Sequence, residues 1–498
     1  SIFVTGRAGT GKSTLLSYFN RTTRKKIVVL APTGVAALNV RGQTIHSFFR
    51  FKPNITLEKV RRLRSRDKDS GIYRKLDAVV IDEISMVRAD LLDCVDKFLR
   101  LNGPEADLSF GGVQMIFIGD LYQLPPVVTS SEKQLFASLY ESPYFYSANV
   151  FNSFEMEFVE LEKVYRQQDQ EFIRLLNSIR NKSVDEAGLV ALNRRYLPQF
   201  EPPPGDFYIY LTTTNALAEE INNRRLAQLK SSPHTFTAYI EGDFGNEYLP
   251  TAVNLQVKTG AQVMMLNNDS LGRWVNGSIG EITAVEWDRS IDQHIITVEL
   301  SDGETVEVTP FTWEIFSYFV EGAQLKSEVV GKFTQYPLML AWAVTIHKSQ
   351  GKTFSKVIID FGRGTFAHGQ AYVALSRCTS LEGMVLKKPL VKHHILMDYD
   401  VVKFLTRYQY QKAEQANPAD DKRTAIEKAI SNKSALQIVY LKPNDEKSKR
   451  IILPESVGEM EYQGKTYLGV RAFCLTRNEE RNFRIDRILK MEEVTDIR

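Results

Sequence analysis

Cysteine is scarce: the 498 residues hold three, Cys94, Cys378 and Cys474. No two of them are spaced as paired metal ligands are. A sparse, odd count argues against a disulfide framework and for a reducing compartment. Long hydrophobic runs are missing too. No apolar stretch approaches the ~18 residues a membrane span needs. The opening Ser1-Ile2-Phe3-Val4 runs into a glycine-rich loop, not into the apolar core of a signal peptide. An excess of one charge is also lacking. The 63 Lys and Arg stand against 60 Asp and Glu, a net of +3. Bulk charge therefore makes no case for a nucleic-acid partner, which has to be argued from local basic surfaces. No internal repeat or low-complexity tract stands out.

What is present is ordinary for a soluble globular chain, with 43% hydrophobic and 25% charged residues. Single cores stop growing near ~250–300 residues, so several domains are expected. Residues 1–155 alternate short aliphatic runs (Ile2–Thr5, Ile27–Ala31, Ala78–Ile81, Gln114–Ile118) with helical patterns. Fully apolar runs of this kind read as buried parallel strands in an α/β domain. The alternation returns over 156–234 and 336–410, with a strand at Phe207–Leu211, a helix at Ala216–Leu229, a strand at Lys356–Asp360 and a last run at Met384–Leu386. Residues 235–335 between them are rich in β-branched and aromatic residues, with the turn Ser301-Asp302-Gly303, and predict a small all-β insertion. Residues 411–433 are polar and charged and read as a linker with helical character. Strand-like runs at Leu436–Leu441 and Tyr467–Phe473 mark a last domain over 434–498. A strand-and-loop motif at the first residue leads us to expect further chain upstream.

Gly6-Arg7-Ala8-Gly9-Thr10-Gly11-Lys12-Ser13 follows a strand and opens a helical pattern, the context that makes G-x-x-x-x-G-K-[ST] a P-loop. Its glycines let backbone N–H groups close on phosphate oxygens. Lys12 meets the β- and γ-phosphates, and the Ser13 hydroxyl is a ligand for Mg²⁺. Val79-Val80-Ile81-Asp82-Glu83 supplies a strand-end carboxylate for Mg²⁺ in Asp82 and a base for the attacking water in Glu83. Such a pair argues for ATP hydrolysis, not for a kinase. In Gly119-Asp120-Leu121-Tyr122-Gln123-Leu124-Pro125-Pro126, Gln123 can sense the γ-phosphate from a stiff loop. Arg166, in Val164-Tyr165-Arg166-Gln167, and Arg377, in Ala374-Leu375-Ser376-Arg377, are candidate arginine fingers.

Taken in order, these motifs resemble superfamily-one helicases of the RecD-like, Pif-type group. The resemblance covers roughly residues 1–400. It also rests on Ala31-Pro32-Thr33-Gly34-Val35-Ala36-Ala37, Thr44-Ile45-His46-Ser47-Phe48, Leu211-Thr212-Thr213-Thr214-Asn215, and the block Ala343–Thr353 with its Thr345-Ile346-His347-Lys348-Ser349-Gln350-Gly351-Lys352-Thr353. It implies an α/β fold of two RecA-like parallel-sheet domains with ATP and Mg²⁺ between them, and an SH3-like barrel at 235–335. Lys12, Ser13, Asp82, Glu83 and Gln123 would come from the first domain. Arg166 and Arg377 would match the family's phosphate-contacting arginines, and Thr14 and Gly351 would join the nucleotide contacts. Pro32, Thr33, Gly34, His46, Phe48, Pro126, His347, Lys348 and Ser349 would contact DNA. His46, Phe48 and His347 suit stacking or hydrogen bonding to bases, and Thr33 and Ser349 suit phosphates. The implied activity is ATP-dependent 5′→3′ translocation on single-stranded DNA and unwinding by a monomer. Forks, G-quadruplexes and RNA–DNA hybrids remain open as substrates.

Lys52–Lys75 holds nine Lys and Arg against three acids and lies where the family places its duplex-splitting wedge. Residues 434–498 look like a WYL domain on Pro454, Gly464, Thr466-Tyr467-Leu468 and Phe483–Ile488, with Thr466 standing in the signature tryptophan's place. Tyr467, Arg471, Arg484 and Arg487 are its candidate nucleic-acid contacts, with Phe483 expected in the core. The pairing of a helicase with such a domain resembles bacterial proteins and implies the cytoplasm. Two other readings stand beside the motor: an ATP-switched nucleic-acid-binding regulator acting through the WYL-like domain, and the motor subunit of an exonuclease complex.

Overall fold

The computed structural model describes residues 1–494 except 64–70, 130–131, 204, 322–323, 363 and 463. Part of the basic stretch at 52–75, including Arg64, Arg66 and Lys68, lies outside the described residues. The described chain forms two compact units. One contains residues 1–180 and 184–396, and the other contains 181–183 and the residues from Met397 onward.

The first unit opens with β1 (Ile2–Gly6), α1 (Lys12–Thr22), β2 (Ile27–Ala31), β3 (Gln43–Thr44), β4 (Ala78–Ile81), β5 (Gln114–Ile118) and β6 (Glu157–Leu161). The six strands form one parallel sheet in the order β3-β2-β4-β5-β1-β6. Its central strands are largely apolar, as strands buried on both faces are, and all four residues of β4 are buried. The helix Ala89–Asn102 shows why: Leu92, Val95, Phe98 and Leu99 recur at helical spacing and are all buried. β6 pairs with β1 over five residues, so Glu157–Leu161 extends the first sheet past the expected boundary at 155. The loops that follow β1, β4 and β5 emerge side by side at the carboxyl edge, where ligands of open α/β sheets bind.

A second parallel sheet has the order Ala343–Thr345, Ile209–Thr212, Val357–Ile359, Met384–Leu386. Between its first two strands in sequence lies the β-rich insertion. A five-stranded antiparallel sheet there runs Thr305–Val308, Gln293–Leu300, Ile279–Asp288, Gln262–Met265 and Leu338–Leu340. It closes over Val263, Met265, Ile282, Ile296, Val298 and Leu338. The long hairpin Phe311–Glu321 with Gln324–Gln335 joins Tyr239–Gly242 in a separate three-stranded sheet. The α/β class, the RecA-like sheets and the β insertion thus stand as expected.

The second unit pairs the helices Tyr399–Ala416 and Ala419–Asn432 with a five-stranded antiparallel sheet ordered Glu479–Arg484, Lys465–Cys474, Lys447–Tyr462, Ala435–Leu441, Ile488–Val494. Residues 411–433 are therefore not a free linker. Ile426 and Ala429 enter the core with Leu436, Ile438, Ile452, Val470 and Phe483. Residues 397–410, expected with the second parallel domain, belong to this unit instead. All three cysteines are free and buried.

Candidate nucleotide and nucleic-acid site

The P-loop turns through Gly9 and Gly11, whose φ of 79° and 86° lie in the left-handed region that favours glycine. At Gly9 the neighbour matters as well: a Cβ there would fall 2.5 Å from the Cβ of Arg166. The Tyr165 amide donates to the Gly9 carbonyl at 2.8 Å, fixing that approach. α1 then starts with Lys12, Ser13 and Thr14 at its N-terminus, where unpaired N–H groups and the helix dipole favour phosphate. Lys12 Nζ donates to the carbonyls of Gly6 (2.7 Å) and Arg7 (3.0 Å). Burial pulls its pKa down, against the pull of Asp120, Glu83 and Asp82.

Asp82 and Glu83 follow β4. Burial raises both pKa values, and Glu83, with Asp82 beside it, is pushed up to about 7. Glu83 holds left-handed backbone angles (φ 50°, ψ 42°), which turn its side chain out of the strand's line. Ser13 is exposed and Asp82 is 9% exposed. A hydroxyl at the helix start and a buried strand-end carboxylate match the donor set that Mg²⁺ takes in P-loop sites. Among the described residues no group of three or more His, Cys, Asp or Glu could hold a metal ion, and this kind of site needs only two protein ligands.

After β5, Asp120 is fully buried and organises its loop. It accepts from the Tyr122 amide at 3.2 Å and from Gln123 Nε2 at 3.4 Å, and pairs with Arg180 at 3.3 Å. The Arg180 guanidinium also stacks 3.9 Å from the Tyr122 ring.

Segments between strands of the second sheet, which carry Gln350, Tyr372 and Arg377, close the opposite side, and Arg166 bridges to them from the chain that follows β6. Arg377 is 1% exposed, and its guanidinium donates to the carbonyls of Val373 (2.9 Å), Lys352 (3.2 Å) and Ser349 (3.4 Å). Burial, with Arg166 nearby, brings its pKa down to about 9, which leaves it charged at neutral pH. Arg166 donates to the carbonyls of Ser376 (3.2 Å) and Gly351 (3.4 Å). The Ala8 amide donates to the Tyr372 hydroxyl at 2.9 Å. Gln350 Nε2 donates to Glu83 Oε2 at 2.9 Å and to Gln123 Oε1 at 3.2 Å. Lys12, Asp82, Glu83, Gln123, Arg166 and Arg377 thus face one cleft. Sequence reading gave no role to Tyr372, Arg180 or Gln350. The signal for Gln350 was its place in the Thr345–Thr353 block; Arg180 and Tyr372 sit on ordinary helical patterns with none.

The residues expected at DNA divide. Thr33 is exposed and caps a short helix by accepting from the Ala36 amide. His46 and His347 are half-buried, and burial lowers both pKa values, leaving neutral imidazoles able to donate or accept. Lys348 is exposed and Pro32 half-buried. Others do not reach the surface. Phe48 is 5% exposed in an aromatic cluster with Phe49 and Tyr73, so its ring has no face for a base. Ser349 has no exposure and spends its hydroxyl on the Ile346 carbonyl at 2.7 Å. Pro126 is buried. Gly34 is buried too, and a Cβ there would sit 2.1 Å from the Glu247 carbonyl oxygen, so packing on the β insertion accounts for it.

In the C-terminal unit Arg471 pairs with Glu480 at 2.6 Å and with Glu455 at 3.6 Å. Arg484 pairs with Asp486 at 2.6 Å and lies 5.2 Å from the Tyr467 ring centroid. Phe483 is 4% exposed and belongs to the core, as its alternation with Arg484 indicates.

Comparison with known proteins gives three family matches: PIF1-like helicase over residues 1–188, WYL domain over 421–493, and a family described as Helicase over 315–407. The ATP-dependent DNA helicase Pif1 of Bdellovibrio bacteriovorus is 32% identical over 400 residues, covering 78% of this chain and 84% of that protein. The ATP-dependent DNA helicase PIF1 of Homo sapiens is 36% identical over 396 residues, covering 77% of this chain and 58% of that protein, so the chain spans little more than half the human relative. Pif1 from Bacteroides sp is 38% identical, with 82% of this chain and 94% of that chain covered. Its complex with ADP-AlF4 gives a TM-score of 0.75 and its ssDNA-bound form 0.59.

Proposed function

The chain belongs to the PIF1-like helicase family, and on that footing we propose that it is an ATP-driven DNA helicase, translocating 5′→3′ on single-stranded DNA and unwinding duplexes at forks. The observation that carries the reading is the convergence of Lys12, Asp82, Glu83 and Gln123 with Arg166, Arg377 and Gln350 in one cleft between two parallel sheets. Hydrolysis in such a cleft is positioning plus electrostatics. The P-loop amides and Lys12 bind the phosphates. Ser13 and Asp82 would hold Mg²⁺, which would neutralise charge on the phosphate oxygens. Glu83 takes the proton of the attacking water, and Gln123 orients that water. Arg166 and Arg377 stabilise charge on the transferred group; Arg166 is held at the P-loop through Tyr165 and Gly9, whereas Arg377 does so only while the second sheet is close, which couples turnover to closure of the cleft.

The strand enters through that same movement. Thr33, His46, His347 and Lys348 are the contacts we assign to DNA, with Pro32 beside them. Because His347 and Lys348 lie in the segment that also carries Gln350, a strand held there acts on the hydrolytic residues. In the C-terminal unit, Tyr467 with Arg484, together with Arg471 and Arg487, forms an accessory contact to single-stranded nucleic acid. The polarity rests on family membership alone.

Strand displacement with ATP on duplexes carrying only a 5′ or only a 3′ single-stranded tail tests the reading. Unwinding of the 5′-tailed duplex is expected. Unwinding of the 3′-tailed duplex alone would reverse the polarity, and displacement of neither, with ATPase intact, would favour a nucleotide-switched binding protein.

A further inference from the structure

Gln350 joins the segment assigned to DNA to the groups that handle water. An amide nitrogen carries two hydrogens. Here one goes to Glu83 Oε2 (2.9 Å) and the other to Gln123 Oε1 (3.2 Å), so the donor capacity is fully used. Gln350 also stands on a stiff piece of chain. The Ser349 amide donates to the Thr345 carbonyl at 3.0 Å, the Gln350 amide to His347 at 3.1 Å, and the Lys352 amide to Ser349 at 3.0 Å. Ser349 itself is fully buried. Exposed Lys348 is two residues from Gln350, so a displacement imposed at His347 and Lys348 is passed to the amide instead of being absorbed by a flexible loop.

Such a contact can be a prop or a brake. A prop that orients the base would bond to Glu83 alone. Gln350 bonds once to Glu83 and once to Gln123, so its single nitrogen stands between Glu83 Oε2 and Gln123 Oε1. A water that gives its proton to Glu83 while donating to Gln123 would take that same place. Each oxygen keeps a second lone pair, so it is the occupied position, not a shortage of acceptors, that favours the brake.

We propose that Gln350 is a positioning residue that holds Glu83 and Gln123 away from the attacking water, and that a strand pressing on His347 and Lys348 withdraws it and so couples DNA contact to hydrolysis. The proposal rests on the reading of Glu83 as base and of the Thr345–Thr353 segment as a DNA contact.

The test measures steady-state ATPase of the full chain with and without saturating oligo(dT), for wild type, Gln350→Leu and Gln350→Asn. Leu keeps the bulk and removes the donor; Asn keeps the donor but falls one methylene short. Both variants are expected to raise the DNA-free kcat by about tenfold or more, the worth of one hydrogen bond to a charged group. The DNA-stimulated kcat stays within about twofold of wild type, so the stimulation ratio shrinks. A rise in the DNA-free rate is a change that a merely structural role would not cause. Equal falls of both rates, or an unchanged ratio in a stimulated enzyme, would overturn this inference alone. A wild type with the same rate with and without oligo(dT) would overturn the functional reading and the inference together.

Discussion

The Tyr372 hydroxyl accepts the backbone N–H of Ala8 at 2.9 Å, a bond that spans 364 positions of sequence and ties the helix before Arg377 to the P-loop. Burial, with Asp120 nearby, pushes the phenol's pKa up to about 12, so it stays protonated and neutral at working pH. Tyr372→Phe keeps the ring and its packing but strands a buried amide. An unsatisfied buried N–H costs ~1–3 kcal/mol, and we expect kcat/KM for ATP to fall by roughly tenfold. A change confined to melting temperature would make the bond structural only.

The half of the site that sequence reveals is the half built from contiguous motifs. The P-loop, Asp82-Glu83 and Gln123 each follow a strand of the first sheet, and the fold places them where their spacing requires. Arg180, Tyr372 and Gln350 reach the site through tertiary approach. Arg180 is the last residue of an amphipathic helix, and only the fold brings it to Asp120. The converse error is Phe48. An aromatic in a motif reads as a base-stacking surface, whereas Phe49, Tyr73 and Phe98 draw that stretch into the core. The linker expected at 411–433 misled through polar composition. A helix with one buried stripe, Ile426 and Ala429 among mostly charged neighbours, has few apolar residues to show.

Lys12→Ala and Glu83→Gln should stop hydrolysis by different routes. Loss of the Lys12 charge removes attraction for phosphate, so ATP affinity should fall together with turnover. Glu83→Gln keeps the shape and removes the base, so ATP should still bind while kcat drops ~10²-fold or more. Nucleotide-binding titrations beside kinetics separate the two. Near-normal turnover in Glu83→Gln would remove that residue from the mechanism.

The pH profile follows from the carboxylate pair. A base works only unprotonated, and burial beside Asp82 pushes Glu83 up to about 7. Activity should therefore be lost as pH falls through about 7, at roughly tenfold in kcat/KM per unit below it. An ordinary glutamate, near 4.3, would hold full activity down to about pH 5. A profile flat from pH 8 to 5.5 would mean that the carboxylate is not the titrating base.

The C-terminal unit yields a prediction about where the chain can be cut. Every residue of the nucleotide site lies before position 380, and the unit that contains it ends at 396. A chain ending at 396 should stay soluble and keep DNA-free ATPase within about twofold of the full chain. A cut at 433, which composition alone suggests, is different. It removes the sheet and leaves Ile426 and Ala429, both buried in the intact unit, facing water. Exposing a buried isoleucine gives up ~1.5–3 kcal/mol, and the helix carrying it then offers a sticky stripe, so this truncation should aggregate on size-exclusion chromatography. The soluble truncation also tests the accessory contact. If Tyr467, Arg484 and their neighbours hold single-stranded DNA, affinity for oligo(dT) should weaken and its dependence on salt should become shallower, because fewer phosphates are neutralised. Arg471 and Arg484 already pair with Glu480 and Asp486, which limits what each can offer to a phosphate. The loss should therefore be modest and fall mostly on stacking by Tyr467, at ~1–3 kcal/mol for one base. Identical affinity and salt slope in the two chains would remove the C-terminal unit from DNA binding.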